Sequence, residues 1–458
     1  MGGFKKGGMR NMTVGSPAGH IFYFALPLLA GSFLQQLYNM VDSWVVGNFV
    51  GDGALAAVGV GAPVIFLFTS LFMGLSNGGT VVIAQFFGAG NPERVRSAID
   101  TVYTAFVAAA IPITVIAVLL TDPLLTLLRV EAAAYAEAKT YLLVVSAGII
   151  GTIGYNLNAG ILRGLGNSRT TLLFLAVSTI LNIVLDLAFV LVLHWGVFGV
   201  AFATILAQAC SWLFGLWYIN THYPDYAIRP FCFRFEMELF KEIMRIGLPS
   251  GLHMSLVAIG SMAVMSKINS YGHDFTAAYN VGSKIDSLAF LPVQSLSSAA
   301  MAYVGQNMGA RRIDRVHQGV KVTVLSALVW ATSMQVLVPL GPTLISFFSD
   351  TPAVIAAGTR YLECIMPFFI LFSVMFCLNN AMQGAGDSMF SMMNAILSLI
   401  IIRVPAVYFL ANRFGPDYMY YGIGLGWTAG CLAAIAYFLS GRWQRFSAVK
   451  NENDPENL

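Results

Sequence analysis

The chain reads as an all-α membrane protein with twelve transmembrane helices in two pseudo-symmetric six-helix lobes. Three observations carry that expectation: an apolar, charge-poor composition, a one-sided distribution of basic residues, and an internal repeat close to half the chain length. Hydrophobic residues make up 57% of the 458 residues and charged ones 10%, with a mean hydropathy of +0.73. A soluble globular chain carries about 25% charged residues, so this one lacks the polar surface it would need in water. The same figures exclude disorder, a coiled coil and nucleic-acid binding. A net charge of +3 is too small to point to a polyanionic partner.

Apolar stretches run over 18–48, 54–87, 95–121, 134–160, 168–193, 196–219, 245–270, 276–307, 318–347, 352–380, 388–411 and 418–440. Each can supply the roughly 20 residues that cross a bilayer, and several are long enough to tilt or protrude. All should be helices, because a backbone in lipid must satisfy its hydrogen bonds internally. The first run is too long for a cleavable signal and is expected to insert the chain and remain in it. The only long polar connector, His222–Glu242, follows the sixth run. It divides the chain into an N-terminal tail 1–17, an N-lobe 18–221, a linker 222–242, a C-lobe 243–441 and a C-terminal tail 442–458.

Basic residues test the count. With an inside N-terminus, eighteen of the 25 Lys and Arg fall on the inner side and four outside (Arg129, Lys139, Arg360, Arg413), while Lys267, Lys284 and Arg403 lie within spans. That bias fits an even number of crossings of the cell membrane, with both termini and the linker cytoplasmic. The five cysteines (Cys210, Cys232, Cys364, Cys377, Cys431) are widely spaced and include no CxxC pair. They read as small buried hydrophobes rather than disulfides or metal ligands.

The two halves repeat. Gln85, Gly88, Ala89, Arg94 and Val95 recur, all at one constant offset, as Gln306, Gly309, Ala310, Arg315 and Val316. Ala56-Ala57 recurs as Ala277-Ala278 at that same offset. Arg163-Gly164-Leu165-Gly166-Asn167-Ser168 recurs one position earlier as Gln383-Gly384-Ala385-Gly386-Asp387-Ser388, and Pro27 pairs with Pro249 one position later. Six helices per half gives both halves the same orientation, the arrangement of alternating-access carriers with a central cavity.

Three acidic residues lie well inside spans: Asp42, Asp186 and Asp286. A charge at the bilayer centre costs at least about 2.5–3.5 kcal/mol on insertion scales, so each requires a reason. Asn182 and Asp186 are four apart and share a helix face. Asp42 lies about 13 Å from the outer end near Gly51, at 1.5 Å per residue. The second half has Ala263, Val264 and Ala406 at the corresponding places, so the acids are one-sided. Two carboxylates facing one dry cavity repel each other, and one of them is favoured to hold a proton. Asp, Asn and Thr oxygens caging Na⁺ is the alternative, and a polar network that merely ties helices together is the third reading.

The segments Gln36-Leu37-Tyr38-Asn39-Met40-Val41-Asp42 after Pro27, Leu55-Ala56-Ala57-Val58-Gly59, Ala84-Gln85-Phe86-Phe87-Gly88-Ala89-Gly90, Arg163-Gly164-Leu165-Gly166-Asn167 and Leu181-Asn182-Ile183-Val184-Leu185-Asp186 together resemble the multidrug and toxic compound extrusion (MATE) transporters. The likeness covers nearly the whole chain and implies the MATE fold of the MOP superfamily. The Asn-x-x-x-Asp of the fifth helix resembles the branch typified by the DNA-damage-inducible F protein, a bacterial type. That likeness implies a cation or proton coupling site of Asp42, Asn182, Asp186 and Thr204 with Tyr38 nearby, and a first helix that bends at Pro27. The NorM-type branch places a Glu and an Asp in the C-lobe; helices seven and ten carry neither in mid-span here, which argues against a C-lobe sodium site.

Further polar residues are weaker signals. Asn158, His253, Lys284 and Asp286 are candidates for the substrate cavity. Lys284 and Asp286 are two apart and so not on one face, and pairing with neighbours or snorkelling stays open for them. A satisfied inter-helix histidine stays open for His253, and lobe packing for Arg403. Gly74-Leu75-Ser76-Asn77-Gly78 fits the nucleophile-elbow pattern, but inside a helical span small residues point to a helix crossing. No HExxH, Walker A or paired-metal spacing occurs.

The expected activity is efflux of amphiphilic, often cationic compounds in exchange for H⁺ or Na⁺. No cofactor is expected apart from that ion, and no partners beyond substrate and bilayer; a monomer is expected. Lipid or lipid-linked-oligosaccharide flipping is the alternative within transport, and an intramembrane enzyme the alternative from another class.

Overall fold

A computed structural model describes residues 8–127, 130, 132–229 and 234–449. Arg129 and Cys232, named above, and Lys5, Lys6 and Lys450, which are among the eighteen inner basic residues, lie outside the described residues. Among the described residues the fold is helical throughout. The spans are α1 (Pro17–Val50), α2 (Asp52–Gly88), α3 (Pro92–Leu127), a broken α4 (Ala132–Ala147 with Ile149–Gly164), α5 (Ser168–Val192) and α6 (Gly196–His222). They continue as α7 (Met237–Asn269), α8 (His273–Gly309), α9 (Ile313–Leu337), α10 (Pro352–Ala385), α11 (Ser388–Phe414) and α12 (Pro416–Ser440). Eleven are long and apolar enough to cross a membrane, and the two pieces of α4, bent by 49°, make the twelfth.

Two expected spans are interrupted. The fourth run breaks at Gly148, where a side chain would meet Ile205 Cδ1 at 2.8 Å and the Gly151 N–H turns back to the Gly148 carbonyl at 3.0 Å. The tight i→i+3 turn lets α6 press against the bend. The ninth run, expected to reach 347, ends as a membrane helix at Leu337, and a separate short helix covers Gly341–Ser346. Pro339 and Pro342 flank that break, and each removes a backbone donor.

The chain forms two compact units: Met1–Asn11 with Leu26–Gly251, and Met12–Ala25 with Leu252–Leu458. They differ from the expected lobes at two helices. The first part of α1 belongs with the second unit and the first part of α7 with the first, and the changeovers fall beside Pro27 and Pro249.

Repeated polar residues make these attachments. In the second unit the Met12 N–H donates to Gln306 Oε1 at 2.8 Å, and the Arg315 guanidinium donates to the Met12 and Gly15 carbonyls at 3.1 and 2.9 Å. In the first unit Arg94 pairs with Glu236 at 3.0 Å. Arg94 and Arg315 are repeat partners, and Gly15 and Glu236 are separated by the same offset.

The repeat also shows as local geometry. Asn167 Oδ1 caps α5 by accepting from the Thr170 N–H at 3.1 Å, and Asp387 Oδ1 caps α11 by accepting from the Phe390 N–H at 3.1 Å. Each cap meets helix donors that have no partner within the helix. Tyr141 lies against Gly61, where a Cβ would come within 2.7 Å of its ring, and Tyr361 lies against Gly282 in the same way.

Gly74 and Gly78 mark a helix crossing within the first unit. A Cβ on Gly74 would lie 2.5 Å from the Gly251 backbone nitrogen, and one on Gly78 would lie 2.9 Å from that of Gly247. Backbone meets backbone here, which explains the small residues without any nucleophile chemistry.

Candidate cation-coupling site

The first unit brings α1, α5 and α6 together around the residues singled out in its sequence. On α5, Ile180 and Val184 are exposed on the outer face, whereas Asn182 and Asp186 are 1% and 0% exposed. The i, i+4 spacing therefore does what it predicts, placing amide and carboxyl on the buried face. On α1, Leu37, Met40 and Trp44 face outward, while Tyr38 and Asp42 are half-buried on the inner side.

Thr204 of α6 links the two helices. Its hydroxyl accepts from Asn182 Nδ2 at 3.4 Å, lies 3.5 Å from Tyr38 Oη, and donates to the Val200 carbonyl at 3.1 Å. The side chains of Asp42 and Asp186 lie close enough to act on each other electrostatically. Asp42 Oδ1, Asn182 Oδ1 and both oxygens of Asp186 are buried without any donor. Leaving a buried acceptor unsatisfied costs about 1–3 kcal/mol, more for a charged group. Four together form an arrangement that requires a positive ion.

The surroundings deepen that requirement. Val45, Val46, Val190, Val197, Val200 and Tyr141 pack beside the site in one apolar cluster, which keeps the local dielectric low and the repulsion between ionised carboxylates strong. All the donors are hard oxygens, which suit a proton or a small hard cation and not a soft metal. α1 and α5 each change pitch just beyond their acids: wider i→i+5 turns cover Val46–Val50 and Ala188–Val192. Turns of this kind occur frequently at functional sites.

The two-part architecture, the repeat and this oxygen cage can be set beside known proteins. The MatE family signature matches residues 27–188 and again 249–409. The chain belongs to the MatE family. The two matches begin at Pro27 and Pro249 and so coincide with the internal repeat.

This MATE transporter is 29% identical over 438 residues to "Probable multidrug resistance protein YpnP" of Bacillus subtilis (strain 168), covering 95% of this chain and 97% of that one. It is 26% identical to "Probable multidrug resistance protein NorM" of Thermotoga maritima, covering 94% of each. Among solved structures, that of a MATE protein in the bent conformation superposes with a TM-score of 0.89 at 25% identity, over 97% of this chain and 99% of that chain. An outward-facing MATE transporter of the MOP superfamily gives 0.88 at 25% identity, over 98% and 99%. The family consists of membrane transporters rather than enzymes.

Other residues singled out in the MATE sequence fall elsewhere. Pro27 lies inside α1, which continues through it as one helix. The helix passes from one compact unit to the other at this point. Asn158 does not line an open cavity: it is 1% exposed, accepts from Tyr103 Oη, and donates to the Trp212 carbonyl at 3.0 Å. With both ends of the amide committed, it joins α3, α4 and α6. Asn158→Leu should lower the melting temperature of the purified protein, since it leaves the buried Tyr103 hydroxyl without its acceptor at about 1–3 kcal/mol and removes the link to the Trp212 carbonyl; an unchanged melting curve would remove this tying role.

In the second unit His253 is half-buried and Lys284 exposed. Asp286 is half-buried and accepts from Tyr361 Oη. Tyr141 was not anticipated. Its side chain is close enough to interact electrostatically with both Asp42 and Asp186. Its place in the repeat, as the counterpart of Tyr361, is the signal that could have found it.

Proposed function

We propose that the protein is a secondary active exporter of amphiphilic, often cationic compounds, driven by H⁺ or Na⁺ entering the Asp42, Asn182, Asp186 and Thr204 site. The supporting observation is the set of four buried oxygens without donors, which an entering cation satisfies and a departing one exposes. The multidrug resistance names of its relatives support the substrate class. Export runs outward from the cytoplasm across the cell membrane, with both chain termini inside and the monomer as the working unit.

In this mechanism the cation binds from outside and draws the Asp42 and Asp186 carboxyls together, which shifts α1 against α5 and α6. Pro27 lacks an N–H and gives α1 its point of flexure. Substrate leaves as the site fills, and loss of the cation inward resets the carrier. Coupling requires the ion to bind one state more tightly than the other, because equal binding shifts nothing. One charge moving down about 100 mV supplies about 2.3 kcal/mol, which at about 1.4 kcal/mol per decade supports a roughly fifty-fold substrate gradient.

Reconstituted liposomes test the proposal. A pH gradient and a Na⁺ gradient are imposed separately, and export of a fluorescent lipophilic cation is followed. At least one gradient should drive accumulation against the concentration difference. Movement that equilibrates the dye and ignores both gradients would refute ion-coupled export.

A further inference from the structure

The second unit carries its own polar cluster beside the places in the repeat where the first unit carries the carboxyl pair. Tyr361 is the repeat counterpart of Tyr141, and at the same offset Arg403 on α11 lies one position beyond the counterpart of Asn182 on α5. Tyr361 Oη donates to Asp286 Oδ2, and Tyr279 and Tyr420 meet the Tyr361 ring edge-on at 5.4 and 5.1 Å. Arg403 is near enough to act electrostatically on Asp286, Tyr279 and Tyr361. Its guanidinium lies over the Trp427 ring at 6.0 Å, and its Nε is buried with no hydrogen-bond partner. Gly426 makes room for it: a Cβ there would come within 2.8 Å of the Arg403 Cβ.

Depth agrees with this association. Asp286 is thirteen residues from the His273 end of α8, and Arg403 eleven from the Phe414 end of α11, or about 20 and 17 Å along each axis at 1.5 Å per residue. Those ends adjoin, since Tyr271 Oη donates to the Ala411 carbonyl at 3.1 Å and Lys267 Nζ to Asn412 Oδ1 at 2.7 Å. Acid and guanidinium therefore sit at similar depth. A guanidinium keeps its charge and cannot be released, and one placed in mid-span calls for a nearby acid.

We propose that Arg403 is a tethered cation filling the second unit's counterpart of the coupling site, with Asp286 as its counter-ion and Tyr361 orienting that carboxylate. The exchangeable ion is thereby confined to the first unit. Removing the guanidinium uncovers a latent site for a small monovalent cation, built from the Asp286 carboxylate and the Tyr279 and Tyr361 hydroxyls.

The test uses full-length protein carrying Asp42→Asn and Asp186→Asn, so that its outcome does not depend on the coupling role of those residues. Thermal stability is measured across a pH series and with rising Na⁺ at constant ionic strength, together with binding of radioactive Na⁺. This background should respond to neither ion. Adding Arg403→Ala should create a saturable stabilisation by Na⁺ or by protons, and adding Asp286→Asn as well should abolish it. A folded Arg403→Ala protein indifferent to both ions would overturn the proposal. If Arg403→Ala does not fold, Arg403→Ala with Asp286→Asn should restore a monodisperse protein by removing both charges; failure of that pair to do so would equally overturn it.

Discussion

Asp186→Asn is expected to abolish ion-driven export while leaving the protein folded, and to make it more heat-stable in Na⁺-free buffer at high pH. The amide keeps the shape of the carboxyl, removes one of two like charges, and offers a donor to Asp42 Oδ1, which has none. A hydrogen bond to a charged group contributes about 1.5–3 kcal/mol, and the repulsion between the carboxylates disappears with it. Asp42→Asn should behave in the same way, because the two acids face each other.

The wild-type protein should show the opposite pattern. Its stability should fall as pH rises without Na⁺, since like charges facing each other in an apolar setting repel strongly. It should recover as Na⁺ is added, by RT ln(1 + [L]/Kd). Melting curves and liposome export measured on the same preparations decide the matter. Wild-type export by both variants would sink the coupling role. A stability loss in both would mean that the carboxyls serve packing.

The second large effect is expected at the helix crossing. Gly78→Leu should prevent accumulation of a monodisperse protein, as read by fluorescence-detected size exclusion, and Gly78→Ala should lower the melting temperature. Overpacking a side chain against side chains costs about 1–3 kcal/mol. Here the added carbon would run into the Ile243 carbonyl and lie 2.9 Å from the Gly247 nitrogen, and backbone cannot rotate away as a side chain does. A well-folded Gly78→Leu protein would show that α2 and α7 separate easily at this point.

Much of this architecture is legible in the residues because lipid leaves so few options. A backbone in hydrocarbon must be helical, so the apolar runs translate into spans, and the near-constant offset between matching motifs exposes the repeat. Asn182 and Asp186 could be placed on one buried face from their spacing alone. The break in α4 was not legible, because it depends on Ile205 pressing on Gly148 from another helix. Neither was the exchange of helix beginnings, since Met12 and Glu236 carry no sign of which unit will hold them. Tyr141 looked like any other tyrosine in an apolar run until Gly61 opened a place for its ring beside the acids. Asn158 had the right chemistry for a cavity, but its partners Tyr103 and Trp212 come from helices far away in sequence.

The wide turns beyond Asp42 and Asp186 bear on how the outer tips of α1 and α5 behave. Each such turn closes with an i→i+5 bond, Gly51 N–H to the Val46 carbonyl and Leu193 N–H to the Ala188 carbonyl. Each wide turn is the last of its helix, so Gly51 and Leu193 leave about one residue, or roughly 100° of rotation, away from where an unbroken α-helix of 3.6 residues per turn would release them. The connections to α2 and α6 therefore set out in directions fixed by the wide turns and not by the stems that carry Asp42 and Asp186.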